Sequence, residues 1–348
     1  MDNLAHALVG AAIGRAVAGP RVPRAGLLGA VAANTPDLAE LLTVAPWPRV
    51  QHLALHRGIT HSLVGAAIET GLLAGAVVLA AQWLAHRRGT AAPPPIWILA
   101  IVAAAMASHL LMDWQGSYGL RPFLPWNPTW YYGDFVAIVD VWYWLLPLIA
   151  LAWGERRHWL PLARSLAVWL PATAAVLVLD ATAGWIKAAW IVLSLVAGVG
   201  WVRHWIGPAR AQLVAGAAVG LLIIYAAAQA AASVPVKAEL RAAALSRFGP
   251  RATWAALTIP GRPFVWARVL AGPDTIAGTG WTVPRHLDLP LVQRALRETD
   301  GGRAIATFAR FLAADVYSSS APPAVRFRDV RYAGRGTNGW ATITVQVP

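Results

Sequence analysis

Apolar runs of about twenty residues recur along this chain, and in the clearest of them, residues 63–84, Glu69 is the only charged side chain. A helix rising about 1.5 Å per residue needs roughly twenty residues to cross a bilayer's hydrocarbon layer. Several such runs in one chain therefore predict a polytopic membrane bundle. The composition agrees. Of 348 residues 57% are hydrophobic and 13% charged, whereas soluble domains carry about 25% charged residues. The 19 tryptophans suit a protein with two membrane interfaces. With no cysteine, disulfides and thiolate metal sites are excluded.

Hydropathy places helices at 4–18, 26–44, 62–85, 96–114, 135–153, 160–179, 185–205 and 213–232, with Pro171 expected to kink the sixth. The first is short for a span, and the first two are expected to form a tight hairpin packed through small residues. From Pro235 onward the texture changes to Gly, Pro, Arg and short alternating runs. Strands are expected within 253–259, 264–270 and 340–347, and helices within 289–297 and 303–314. The fold expected is an all-α polytopic bundle of about eight helices with a small C-terminal α+β soluble domain. Its parts are a core at 1–155, further membrane helices at 156–234 and the soluble domain at 235–348.

The net charge is +13. No nucleic-acid motif accompanies it, so no nucleic-acid partner is expected; a solvated basic surface is the simpler reading, with anionic lipid head groups as the alternative it could face. Arg15, Arg21 and Arg24, then Arg87 and Arg88, then Arg156, Arg157 and Arg164, then Arg203 and Arg210 fall at alternate connections. The positive-inside rule makes those connections cytoplasmic. The connections at 45–61, 114–134 and 180–187, both termini and the soluble domain would then be extracytoplasmic.

Ionisable groups inside such a bundle are costly and mark sites. Here they form islands at helix ends: Asp2-Asn3-Leu4-Ala5-His6, Asn34-Thr35-Pro36-Asp37, His56-Arg57-Gly58-Ile59-Thr60-His61-Ser62, and His109 with Asp113. The proposed orientation brings them all to one level near the outer surface. His109 and Asp113, four residues apart, share a helix face. Imidazole with carboxylate is a common ligand set for zinc and other borderline divalent ions. His6, Asp37, His56, His61, His109 and Asp113 are the candidate ligands, enough for one or two ions. Arg57 can grip a phosphate and Arg121 offers a second anion contact. Asp134 and Asp140 are candidates for a general base or for orienting a ligand. Single features have ordinary uses too. Ser62 can cap the third helix, and Asn34 and Thr35 can satisfy a broken helix. His52, His86, His158 and His204 read as solvated interfacial groups.

Taken together, these islands, with Ser117-Tyr118-Gly119, Trp130-Tyr131-Tyr132-Gly133-Asp134 and Ile138-Val139-Asp140, resemble the YdjM-like bacterial inner-membrane family described as membrane-bound metal-dependent hydrolases. The resemblance covers roughly 1–150 and implies a hydrolase with a divalent metal. Ala5 stands where a hydroxyl residue is expected before the first His. The scattered His and Asp residues are also similar in kind to zinc-dependent phospholipases C, which directs the expectation to a phosphoester or lipid-like substrate at the extracytoplasmic membrane surface. Two other classes fit parts of the chain: a transporter or binding protein with an ion path, and a scaffold presenting a basic tail.

Overall fold

The structure, a computed structural model, describes residues 1–38, 49–153, 159–317, 322–333 and 339–347. It is mostly helical, with a C-terminal β-sheet region. Two units divide the chain. The first comprises Met1–Asp37, Ile59–Ala232 and Thr258–Val265, and the second Leu38–Gly58, Ser233–Leu257 and Trp266–Pro348.

In the first unit, α1 (Asn3–Ala18) is capped by Asp2, whose carboxylate accepts the Ala5 N–H at 2.9 Å. It packs on α2 (Ala25–Ala32) through glycine, as the small residues predict. A Cβ on Gly10 would collide with the Gly29 carbonyl, and one on Gly29 with the Gly10 carbonyl. The second helix stops well before the expected residue 44. Asn34 Nδ2 donates back to the Ala30 carbonyl at 2.9 Å and Thr35 Oγ1 to that of Val31 at 3.0 Å. These bonds satisfy the broken helix end and turn the chain at Pro36. Residues 39–44, the rest of that expected helix, lie outside the described residues, as do 45–48.

After α3 (Arg49–Leu55), which belongs to the second unit, a 3-10 turn (Ile59–His61) leads into α4 (Leu63–Arg88). Ser62 caps α4 as its sequence predicts, accepting the Gly65 N–H at 3.0 Å. A Cβ at position 65 would strike the Ile59 carbonyl, so glycine there lets the turn lie against the helix. Next come α5 (Pro95–Trp114), α6 (Val141–Trp153), α7 (Trp159–Val178), α8 (Gly184–Val202) and α9 (Ala211–Phe248). Among the described residues, α4, α5, α8 and α9 are long and apolar enough to cross a membrane, while α1, α6 and Ala163–Val178 are shorter apolar helices. Leu72, Leu79, Ile96, Leu111, Leu195, Leu213 and Ile223 on the four long helices point outward. That arrangement suits lipid as the surrounding solvent. The main core joins Leu8, Val9, Val136, Leu145, Val176, Trp190 and Leu222.

Three further expected elements differ. Helix α6 begins at Val141, six residues after the expected start, because Asp140 takes the Trp142 N–H at 3.0 Å and residues 135 and 136 donate to the Gln115 carbonyl. Helix α9 does not end near residue 232 but runs through Pro235 to Phe248. The helix expected at 303–314 ends at Phe308, because the residues that follow are drawn into strand pairing.

In the second unit, β1 (Thr253–Thr258), β2 (Trp266–Ala271), β3 (Thr275–Gly278) and β4 (Trp281–Pro284) form one sheet in sequence order. Helices α10 (Pro290–Glu298) and α11 (Asp300–Phe308) follow. The second sheet is antiparallel: β5 (Leu312–Tyr317), β6 (Ala324–Asp329) and, after α12 (Val330–Ala333), β7 (Thr342–Gln346). Phe327 pairs with Ala314 on one side and Ile343 on the other. Val269, Ile276, Val283, Phe311 and Ala313 close a core between the sheets.

Candidate metal centre

Four side chains of the first unit converge. His61 leaves the 3-10 turn, His109 and Asp113 project from the last turns of α5, and Asp37 follows the broken end of α2. His61 Nε2 lies 3.1 Å from Asp37 Oδ1, 3.1 Å from His109 Nε2 and 3.5 Å from Asp113 Oδ2. His109 Nε2 lies 3.4 Å from Asp113 Oδ2 and 3.7 Å from Asp37 Oδ1. One ligand atom from each of the four lies within 4.8 Å of all the others. His61, His109 and Asp113 are buried, and the side chain of Asp37 is 14% exposed, which makes it the open edge of the group.

The donor chemistry can be read from the second nitrogen of each imidazole. His109 Nδ1 is 2.7 Å from the Ala33 carbonyl, which can only accept, so Nδ1 carries the proton and Nε2 presents a bare lone pair. His61 Nδ1 is 3.1 Å from the Thr60 hydroxyl. Two imidazole nitrogens and two carboxylate oxygens thus face one point. A tetrahedral ion with bonds of about 2.1 Å sets its ligand atoms roughly 3.4 Å apart. The five separations above bracket that value, so the group can hold a metal ion.

Around this group, Asn3 Nδ2 donates to Asp37 Oδ2 at 2.7 Å. His6 stacks on His109 with ring centroids 4.0 Å apart, and its Nε2 is 3.3 Å from Asp113 Oδ1. The Met1 amino group also contacts Asp113 Oδ1. One oxygen of Asp113 therefore faces the four-residue group and the other faces His6. Burial pushes the Asp37 carboxyl up, but the His61 hydrogen bond and nearby His109 outweigh it and hold the group below its ordinary value.

The remaining candidates stand elsewhere. His56 and Arg57 fall in the second unit. There the His56 ring packs against Phe308 at 5.5 Å and Trp340 at 5.9 Å. Asp134 lies in the loop after α5 with a positive φ of 53°, its N–H directed to the Gly116 carbonyl. Asp140 accepts from Trp142 N–H and from the Tyr225 hydroxyl at 2.7 Å, and burial raises its pKa to about 6. Arg121 is buried in the same loop with its guanidinium 4.9 Å from the Trp130 ring centre, and burial lowers its pKa. The loop itself is fastened over the helix ends: Leu120 and Tyr131 bridge, and Leu63 N–H donates to the Pro122 carbonyl. Sequence reading assigned no role to the Ala33 carbonyl, Thr60 or Asn3. A backbone carbonyl leaves no mark in a sequence. Asn3, however, sits two residues before the first buried residue of α1, Ala5, and inside a polar island already singled out.

Residues 1–207, a span that includes the whole metal group, match the family described as YdjM inner membrane protein. The chain belongs to the YdjM inner membrane protein family. Its four membrane-length helices accord with the membrane location that the family description gives. No curated protein and no solved structure matches the chain. The YdjM match ends within the stretch after α8, so the sheet-bearing residues lie beyond it.

Proposed function

We propose that this YdjM family member is an integral membrane hydrolase whose divalent cation, zinc by the character of its ligands, is held by Asp37, His61, His109 and Asp113. The observation that carries the reading is the set of five ligand-to-ligand separations between 3.1 and 3.7 Å. Bound there, the ion would supply an activated water and neutralise charge on a scissile ester. His109 and His61 are held ready by the Ala33 carbonyl and the Thr60 hydroxyl. Asp113 would offer the ion Oδ2, while its Oδ1 is held by the Met1 amino group and His6. Asp37, the open edge, is the ligand beside which a substrate oxygen enters.

A lipid-like substrate is favoured by an apolar groove of about 460 Å³ against α1, α5 and α9. Val9, Ile13, Leu111, Met112, Leu222 and Ala226 line it, with Gln115 and Tyr143 at its polar end. Val9 and Ile13 lie three and seven residues beyond His6, on the same face of α1. The extracytoplasmic leaflet is favoured by the position of Arg87 and Arg88 at the opposite end of α4 from the site.

The test begins with metal analysis of the purified protein. His61→Ala and His109→Ala should each lose the metal while still inserting in the membrane. Release of phosphate from a short-chain phosphatidic acid should stop with chelator and return with zinc. Full metal content in both variants, or hydrolysis indifferent to chelator, would remove the basis of the proposal.

A further inference from the structure

Glu69 is the only acidic residue of α4. It lies about 9 Å along the helix from Leu63, inside the segment long enough to cross a membrane. An intramembrane carboxyl of this kind marks function unless a structural partner accounts for it. Positions 61, 65, 69, 73 and 77 form one stripe at helical spacing. Next to this stripe Ala66 packs with Met106 and Leu110, and within it Leu73 packs with Ala33 and Ala105. The stripe therefore faces α2 and α5, and Glu69 lies between those two contacts. Its electrostatic neighbours are His109 on α5 and Asp37 after α2. One oxygen, Oε2, is buried and has no hydrogen-bond partner among the described residues. A buried polar atom without a protein partner calls for one that comes and goes. Asp140, the other buried carboxyl suited to proton transfer, has its oxygens on Trp142 and Tyr225, and its acidic neighbour is Asp2, outside the four-residue group.

We propose that Glu69 is the proton acceptor of this site. The inference rests on the hydrolytic reading above. As the attacking water bonds to phosphorus, its O–H bond breaks and the proton passes to Glu69. The bond from phosphorus to the leaving oxygen then breaks with its electron pair, and Glu69 returns the proton to that oxygen. One water and one ester give one alcohol and one phosphate, and Glu69 ends as it began. The charged and titratable groups that bear on its proton are His109 on α5 and Asp37 after α2.

The experiment uses the full-length protein in detergent, loaded with cobalt(II), with Glu69→Gln and Glu69→Asp beside it. Cobalt content should be unchanged in all three. The pH midpoint of the visible cobalt spectrum should move by a unit or more in Glu69→Gln and by less in Glu69→Asp. Hydrolysis of dioctanoyl phosphatidic acid should fall about 100-fold in kcat for Glu69→Gln with little change in KM, a loss typical of a missing general base. Superimposable spectral titrations, or loss of cobalt from Glu69→Gln, overturn the assignment. A protein that takes up cobalt and shows the spectral shift but hydrolyses no phosphoester overturns the hydrolytic reading and keeps the proton link between Glu69 and the cation site. A wild-type protein that takes up no cobalt overturns both.

Discussion

His109 and His61 share a design in which the nitrogen away from the group is engaged and the other is presented. For His109 the partner is a backbone carbonyl, which substitution cannot remove. For His61 it is the Thr60 hydroxyl, which substitution can. Partners of this kind typically contribute a factor of 10–100 in metal affinity. Thr60→Val should therefore weaken zinc binding by about tenfold while leaving the stoichiometry at saturation intact, as read by competition with a chromophoric chelator. Unchanged affinity would mean that the Ile59–His61 turn alone orients the ring. The four residues of the group were legible because each interrupts an apolar run at a cost. His56 carries the same sequence signal as His61, five residues away. Nothing in the local sequence distinguishes them, since the difference lies in which unit each joins. Glu69 was visible as a lone charge in an apolar helix, but its depth made it look unlike the helix-end islands.

At the scale of elements, hydropathy located the helices well and their ends poorly, and the ends depend on particular side chains. Helix α6 starts late because Asp140 competes for the Trp142 N–H. Helix α9 outruns its apolar stretch because its continuation, 233–248, holds few strong breakers besides Pro235. The residues at 312–317 became a strand because β6 offers a partner, which is tertiary information. The cap at α6 supports a pH prediction. Burial raises the Asp140 pKa from 3.8 to about 6, against the opposing bonds from Tyr225 and Trp142. The native state thus holds this proton more tightly than the unfolded chain. The stability it contributes is present below about pH 4 and is lost as the pH rises through 6. The difference corresponds to about 3 kcal/mol. Asp140→Asn keeps an acceptor for Trp142 and cannot ionise. Its thermal midpoint in detergent should fall less than that of the wild type between pH 4 and 7, and parallel profiles would count against a raised Asp140.

At the scale of the whole molecule, the side of the membrane on which the site opens follows from the ends of α4. His61 and the metal group adjoin its start, and His86, Arg87 and Arg88 close its end. Positive residues favour the cytoplasm, so α4 runs inward and α5 returns outward. Helices α6 and α7 come as a pair, so whether both cross or neither does, α8 still begins outside. On the same rule α8 is expected to run inward to Arg203 and Arg210 and α9 outward, which predicts an extracytoplasmic side for the sheets. The absence of cysteine makes this open to direct test with single-cysteine variants. Trp126, in the loop after α5, is 79% exposed, and Thr90, beyond α4, and Thr282, in β4, are exposed as well. In intact cells a membrane-impermeant maleimide should label Trp126→Cys and Thr282→Cys, and should label Thr90→Cys only after permeabilisation. Labelling of Thr90→Cys alone would invert the bundle and place the metal group at the cytoplasmic face. A substrate would then have to come from the inner leaflet. Labelling of Trp126→Cys without Thr282→Cys would mean that an odd number of crossings separates them, and α6 and α7 would no longer act as a pair.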